Sequence, residues 1–154
     1  MKRLQLILSI TFAFAILFSS CKKKCDLPDD SNTGKIKTGV IAYPAGQLTS
    51  GETGGRLITG SSPDAGTIQM SLDEGITKTA FDYGSYSILC YPTTTSCNSS
   101  FERTVDINDL NGTVTYKITI TECGTCENKV STENIVVVQA IPETYQVFFD
   151  VKTK

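Results

Sequence analysis

Between Thr113 and Thr121, Val114, Tyr116, Ile118 and Ile120 alternate with Thr115, Lys117, Thr119 and Thr121. This period of two marks a strand with one buried face. Phe101 to Ile107 alternates less cleanly, and Asn108-Asp109-Leu110-Asn111-Gly112 between the two runs ends in an Asn-Gly pair that tolerates positive φ. Together they predict a hairpin. Ile135 to Ala140 is a β-branched run suited to burial on both faces, and Thr144 to Lys152 places Val147, Phe149 and Val151 on one side, with Pro142 separating the two. Strands are also predicted over Gly84 to Tyr91, Thr67 to Leu72, Lys35 to Tyr43 and Arg56 to Thr59. No stretch of ten or more residues carries apolar positions at helical spacing.

About eight short strands separated by turn signals predict an all-β chain, a single antiparallel β-sandwich of seven or eight strands, with a small barrel as the alternative. Eight of the twelve glycines lie from Gly34 to Gly66, so the first third is loop-rich and its register weakly specified. The segment Phe81-Asp82-Tyr83-Gly84-Ser85-Tyr86-Ser87-Ile88-Leu89 resembles the aromatic, glycine, tyrosine and aliphatic signature of prealbumin-like bacterial sandwich domains. That resemblance implies the same architecture.

The N-terminus has a different composition. Met1-Lys2-Arg3 is a basic head, Leu4 to Phe18 is apolar but for Gln5, Ser9 and Thr11, and small residues precede Cys21, the layout of a secretory signal. Fifteen residues with three polar ones fall short of the roughly 20 needed to span a bilayer. Leu17-Phe18-Ser19-Ser20-Cys21 resembles the lipobox of bacterial lipoproteins, with Phe18 bulkier than the usual residue. The resemblance implies cleavage before Cys21, diacylglycerol on its sulfur, an acylated amine and attachment to a membrane. A Ser-Cys site followed by charges resembles lipoproteins of the Bacteroidota, and Lys22, in place of an inner-membrane aspartate, implies the outer membrane. Residues 1–20 are then signal peptide, 21–34 a lipidated N-terminus and flexible tether, and 35–154 one domain.

Without residues 1–20 the chain has 12 basic and 16 acidic side chains. That acidic balance, with no basic stripe interleaved with aromatics, argues against a nucleic-acid partner. There is no histidine, which excludes Ser-His-Asp hydrolysis, Cys-His proteolysis and His-built zinc catalysis. There is no tryptophan either, so a sugar-stacking face would have to use Tyr83, Tyr86 or Tyr91, whose simpler role is core packing. Asp106, Asn108, Asp109 and Asn111 have the flavour of a calcium loop, but the glycine falls one place late for an EF-hand and a strand precedes it. A plain turn is the simpler reading. No catalytic residue, metal or cofactor is assigned.

With Cys21 lipidated, Cys25, Cys90, Cys97, Cys123 and Cys126 remain, an odd number in an oxidising compartment, and Cys25 in the tether is the odd one. The other four are disulfide candidates with three possible connectivities. A local Cys90–Cys97 bridge is favoured and the pairing of Cys123 and Cys126 is left open. Four thiolates also suit a closed zinc site. Cys123-Gly124-Thr125-Cys126 resembles the active pair of thioredoxin-like proteins, which implies a nucleophile and a resolving cysteine. Glu122 and Glu127 would raise rather than lower a thiol pKa there, and no helical pattern follows.

These readings point to a non-enzymatic, lipid-anchored binding or structural module of the cell envelope. Its partners are the membrane, through the anchor, and an envelope protein or ligand. Its contact surface is expected on Tyr91, Pro92, Thr93, Thr94, Thr95 and Ser96, a loop bracketed by Cys90 and Cys97, and on Gly124 and Thr125. The alternatives are a redox protein using Cys123 and Cys126, and a protease inhibitor presenting the Cys90–Cys97 loop.

Overall fold

A computed structural model describes residues 26–48, 54–96, 98–124 and 129–154. The described chain is all-β, with ten strands and one turn of 3-10 helix at Ala65–Thr67. The strands are β1 (Ser31–Gly34), β2 (Ile41–Pro44), β3 (Arg56–Ile58), β4 (Ile68–Ser71), β5 (Thr79–Ala80), β6 (Tyr86–Thr95), β7 (Ser99–Asn108), β8 (Thr113–Glu122), β9 (Val130–Gln139) and β10 (Gln146–Thr153). They form a large sheet in the order β1-β7-β8-β10, a central sheet β3-β6-β9 and a small sheet β2-β4-β5.

The alternating runs decide the large sheet. In β7 and β8, Ile107 pairs with Val114, Val105 with Tyr116 and Phe101 with Ile120. β10 extends the rows by setting Val147 beside Val114, Phe149 beside Tyr116 and Val151 beside Ile118. These side chains pack against Leu89, Val136 and Val138 of the central sheet in one cluster. On the other face of the central sheet, Ile88, Cys90 and Val137 join Ile58, Ile68, Met70 and Phe81 in a second cluster. The β-branched run in β9 is thus buried on both sides, as its sequence predicts, and each fully buried Val or Ile contributes about 1.5–3 kcal/mol.

Eight of the ten strands overlap predicted ones. The unpredicted pair, β1 and β5, have wholly exposed side chains and therefore no periodic signature. Two expectations are corrected. The pairings are not all antiparallel: β1 runs parallel to β7, and β10 parallel to β8. Between β8 and β10 the chain passes through β9 in the central sheet and returns in the direction it left. The expected tether of residues 21–34 also ends early, because β1 belongs to the large sheet and Asp30 is fastened to it. Asp30 Oδ1 accepts from the Phe101 amide at 2.9 Å, and Oδ2 pairs with Arg103 at 3.1 Å.

Candidate functional site

The long strands of each sheet are paired in register, and contacts such as the Ser96 amide to Glu122 at 2.7 Å bring strand ends of the two sheets together, so the molecule has two ends. At the entry end lie Asp30, the start of β7, the end of β8, and Lys154, whose amide donates to the Ile120 carbonyl at 2.8 Å. At the opposite, tip end lie the β7–β8 hairpin and the connection from β9 to β10. Gly34, in the left-handed region at φ +71°, reverses the chain there. The Lys35 amide donates to Val105, and the Lys37 amide to Val137, both at 2.8 Å, so this short segment crosses from the large to the central sheet. A Cβ at position 34 would strike the Val105 carbonyl, so glycine is required.

Three segments distant in sequence converge at the tip on a cleft of about 230 Å³. Lys35, Ile36 and Lys37 form one wall, Ile107 and Asp109 a second, and Gln139, Ile141, Pro142 and Tyr145 the third. Each wall is fixed. Asn108 Oδ1 accepts from the Leu110 and Asn111 amides at 3.1 and 3.2 Å, a plain Asx turn closed by Gly112 at φ +60°. The Tyr145 hydroxyl donates to Asp109 Oδ1 at 3.0 Å and ties the third wall to the hairpin. That bond, above all, raises the Tyr145 pKa from its ordinary value. Ile141 N donates to the buried Ser87 hydroxyl at 3.0 Å, and Gln146 N to the Gly112 carbonyl at 2.9 Å.

Towards the entry end, the interior between the large and central sheets is polar. Arg103 points inward from β7 and donates through Nε to Oδ1 of fully buried Asn134 at 2.9 Å. Asn134 Nδ2 donates to Thr93 Oγ1 at 2.9 Å and to the Tyr91 carbonyl at 3.3 Å. The Tyr116 hydroxyl donates to the Asn134 carbonyl at 3.3 Å, and burial pushes its pKa well up. Among the described residues, no buried side-chain polar atom lacks a partner, as burial of such groups requires.

Neither a protein-family model, nor a curated protein, nor a solved structure matches this chain.

The expected contact loop is corrected. Tyr91, Pro92, Thr93, Thr94 and Thr95 lie in β6, paired in register with Asn134 through Val130 of β9. Thr93 and Thr95 are buried, so these residues do not project as a loop. Pro92 is accommodated because β3 pairs only as far as Cys90, which leaves that edge of β6 needing no donor from residue 92.

The favoured Cys90–Cys97 bridge is also corrected. Cys90 is a fully buried thiol in the second cluster. Its would-be partner, Cys97, lies outside the described residues. Cys123 follows β8, its amide donating to the Asn98 carbonyl at 2.9 Å, and Gly124 next to it has φ +80°. β9 begins at Val130, so the Cys123 segment links strand to strand. Cys21, Cys25, Cys97, Thr125 and Cys126 lie outside the described residues, as does the lipobox. Among the described residues, no group of three or more Cys, Asp or Glu is placed to hold a metal ion.

Sequence reasoning weighed Asp109 as a calcium-loop or turn residue and missed Lys35, Lys37, Gln139 and Tyr145. No local motif joins them, because the cleft exists only once three segments meet.

Proposed function

We propose that this chain is a lipid-anchored, non-enzymatic binding module of the cell envelope, held to the outer membrane through Cys21 and presenting its tip end outward. One observation carries the reading: the N-terminus is fastened at one end of the strands, by Asp30 and β1, while the cleft lies at the other. Nine residue steps from Cys21 to Asp30 reach at most about 30 Å. Strands of eight to ten residues then set the tip about 30 Å further out. Two acyl chains on Cys21 would give durable attachment, and Lys22, Lys23 and Lys24 would add attraction to anionic headgroups. A chain without histidine lacks the commonest general base, which supports binding over catalysis.

The large and central sheets form the body of a β-sandwich in this reading, with the small sheet as an added layer. A brace at the entry end completes it. Cys123, at the end of β8, would supply one half of that brace, with its partner among the cysteines outside the described residues.

The test has two parts. Labelled palmitate should enter the wild-type chain and be lost with Cys21→Ala. In vesicles, a fluorophore at Leu110, almost fully exposed on the hairpin tip, should transfer energy to a lipid acceptor far less than one at Lys154. Equal transfer from both positions, or no label on Cys21, would end the proposal.

A further inference from the structure

We infer that the tip cleft is a binding site for a small organic carboxylate on a compact body, a uronic acid or the C-terminal end of a short peptide. Size comes first: about 230 Å³ lies below the roughly 300–1,000 Å³ of sites for drug-sized ligands. One sugar ring or two small residues fills it. The lining is divided as small-molecule sites are, with Ile36, Ile107, Ile141 and Pro142 offering apolar surface and a few polar groups set around it.

Charge selects the ligand. Lys35 and Lys37 line one wall, held by backbone bonds to both sheets. Among the described residues neither ammonium makes an ion pair; the lysines that do are Lys117, with Asp106, and Lys152, with Asp150. Among the described residues Asp109 is the only carboxylate in the lining, and it already accepts the Tyr145 hydroxyl. Two cations against one committed anion favour an anionic guest. A carboxylate meets both ammoniums, while the second lone pairs of Asp109 and the Gln139 amide remain for ligand hydroxyls or N–H groups. The site is preformed, because all three walls are hydrogen-bonded in place, so little ordering is needed on binding.

This deepens the proposed function and rests on the tip being the presenting end, yet the two can fail separately. Affinity in micelles does not depend on which end faces a membrane, and energy transfer in vesicles does not depend on a ligand.

The full chain in detergent micelles is titrated calorimetrically with D-glucuronate, with D-glucose, with N-acetyl-Ala-Ala and with its C-terminal amide. At least one carboxylate should bind about tenfold or more tighter than its neutral counterpart and weaken as salt is raised. Which of the two carboxylates binds then names the source. The double variant Lys35→Gln/Lys37→Gln should lose that binding about tenfold or more while its thermal midpoint stays put, since surface substitutions shift stability little. The inference is overturned if neither carboxylate binds, if the neutral compounds bind equally well, or if the double variant binds like the wild type.

Discussion

On one face of the central sheet lie the large sheet's three long strands, of eight to ten residues each, in full register; on the other lie strands of two to four residues joined by glycine-rich loops. Both faces bury a comparable set of aliphatic side chains. They differ in how position is held. In the large sheet the apolar side chains of β8 are flanked by cross-strand neighbours on both sides, as Tyr116 is by Val105 and Phe149. In the small sheet much of the order comes from local polar devices. Ser71 and Asp73 organise the loop after β4: the Ser71 hydroxyl donates to Asp73 Oδ1 at 2.6 Å and accepts from the Gly75 amide at 2.8 Å, while Asp73 Oδ1 also accepts from the Thr77 amide at 2.8 Å. A long ladder resists relaxation around a defect, and a short one yields to it.

The sharpest way to break this contrast is to cut a cavity on each side. Leu89→Ala, between the large and central sheets, should cost about 4 kcal/mol, and Met70→Ala on the other face about 2 kcal/mol, because the small sheet can settle into the space. Denaturant unfolding measures both. Equal losses would show that the two faces are equally rigid.

A smaller effect is expected from the polar pair inside the long-stranded layer. Asn134→Ala leaves the Arg103 guanidinium without its buried acceptor and should cost about 3 kcal/mol. Arg103→Met combined with Asn134→Leu should lose clearly less than the two single changes added together, since no unpaired group then remains. Additive losses would mean that the pair does not act as a unit.

The smallest effect belongs to the loop on the small-sheet side. Hydrogen bonds from Ser71 first, then from Thr77, hold the Asp73 carboxyl at about 2, below its ordinary 3.8. A lowered carboxylate pKa favours the folded loop above pH 3.8, and that contribution is lost as pH falls towards 2. Protection of the Gly75 and Thr77 amides, taken relative to the intrinsic exchange rate at each pH, should therefore fall over that interval. Ser71→Ala should move the Asp73 midpoint back towards 3.8 in an NMR titration, and an unchanged midpoint would remove Ser71 as the cause.

The same contrast governs what was legible in the sequence. β8 announces itself because its inward positions from Val114 to Ile120 are hydrophobic. β7 reads less cleanly for a physical reason: Arg103 occupies an inward position between Phe101 and Val105, and Asn134 does the same before Val136 and Val138 in β9. Two irregularities in two separate patterns are one contact, Arg103 to Asn134, which only the stacking of the sheets reveals. β1 was not legible, since it pairs through its backbone and its side chains are exposed and carry no alternation. The extent of β6 was hidden by Pro92 and a run of threonines that read as a loop. The cleft was the least legible feature, because Lys35, Asp109 and Tyr145 are brought together by the return of the chain at Gly34 and by the β9–β10 connection.

The parallel pairing of β1 with β7 also fixes how the domain bears a mechanical load. A pull on the N-terminus acts along the axis of β1, against a partner held deep in the sheet. The rungs of that ladder are then stressed together, in shear, and do not unzip one after another.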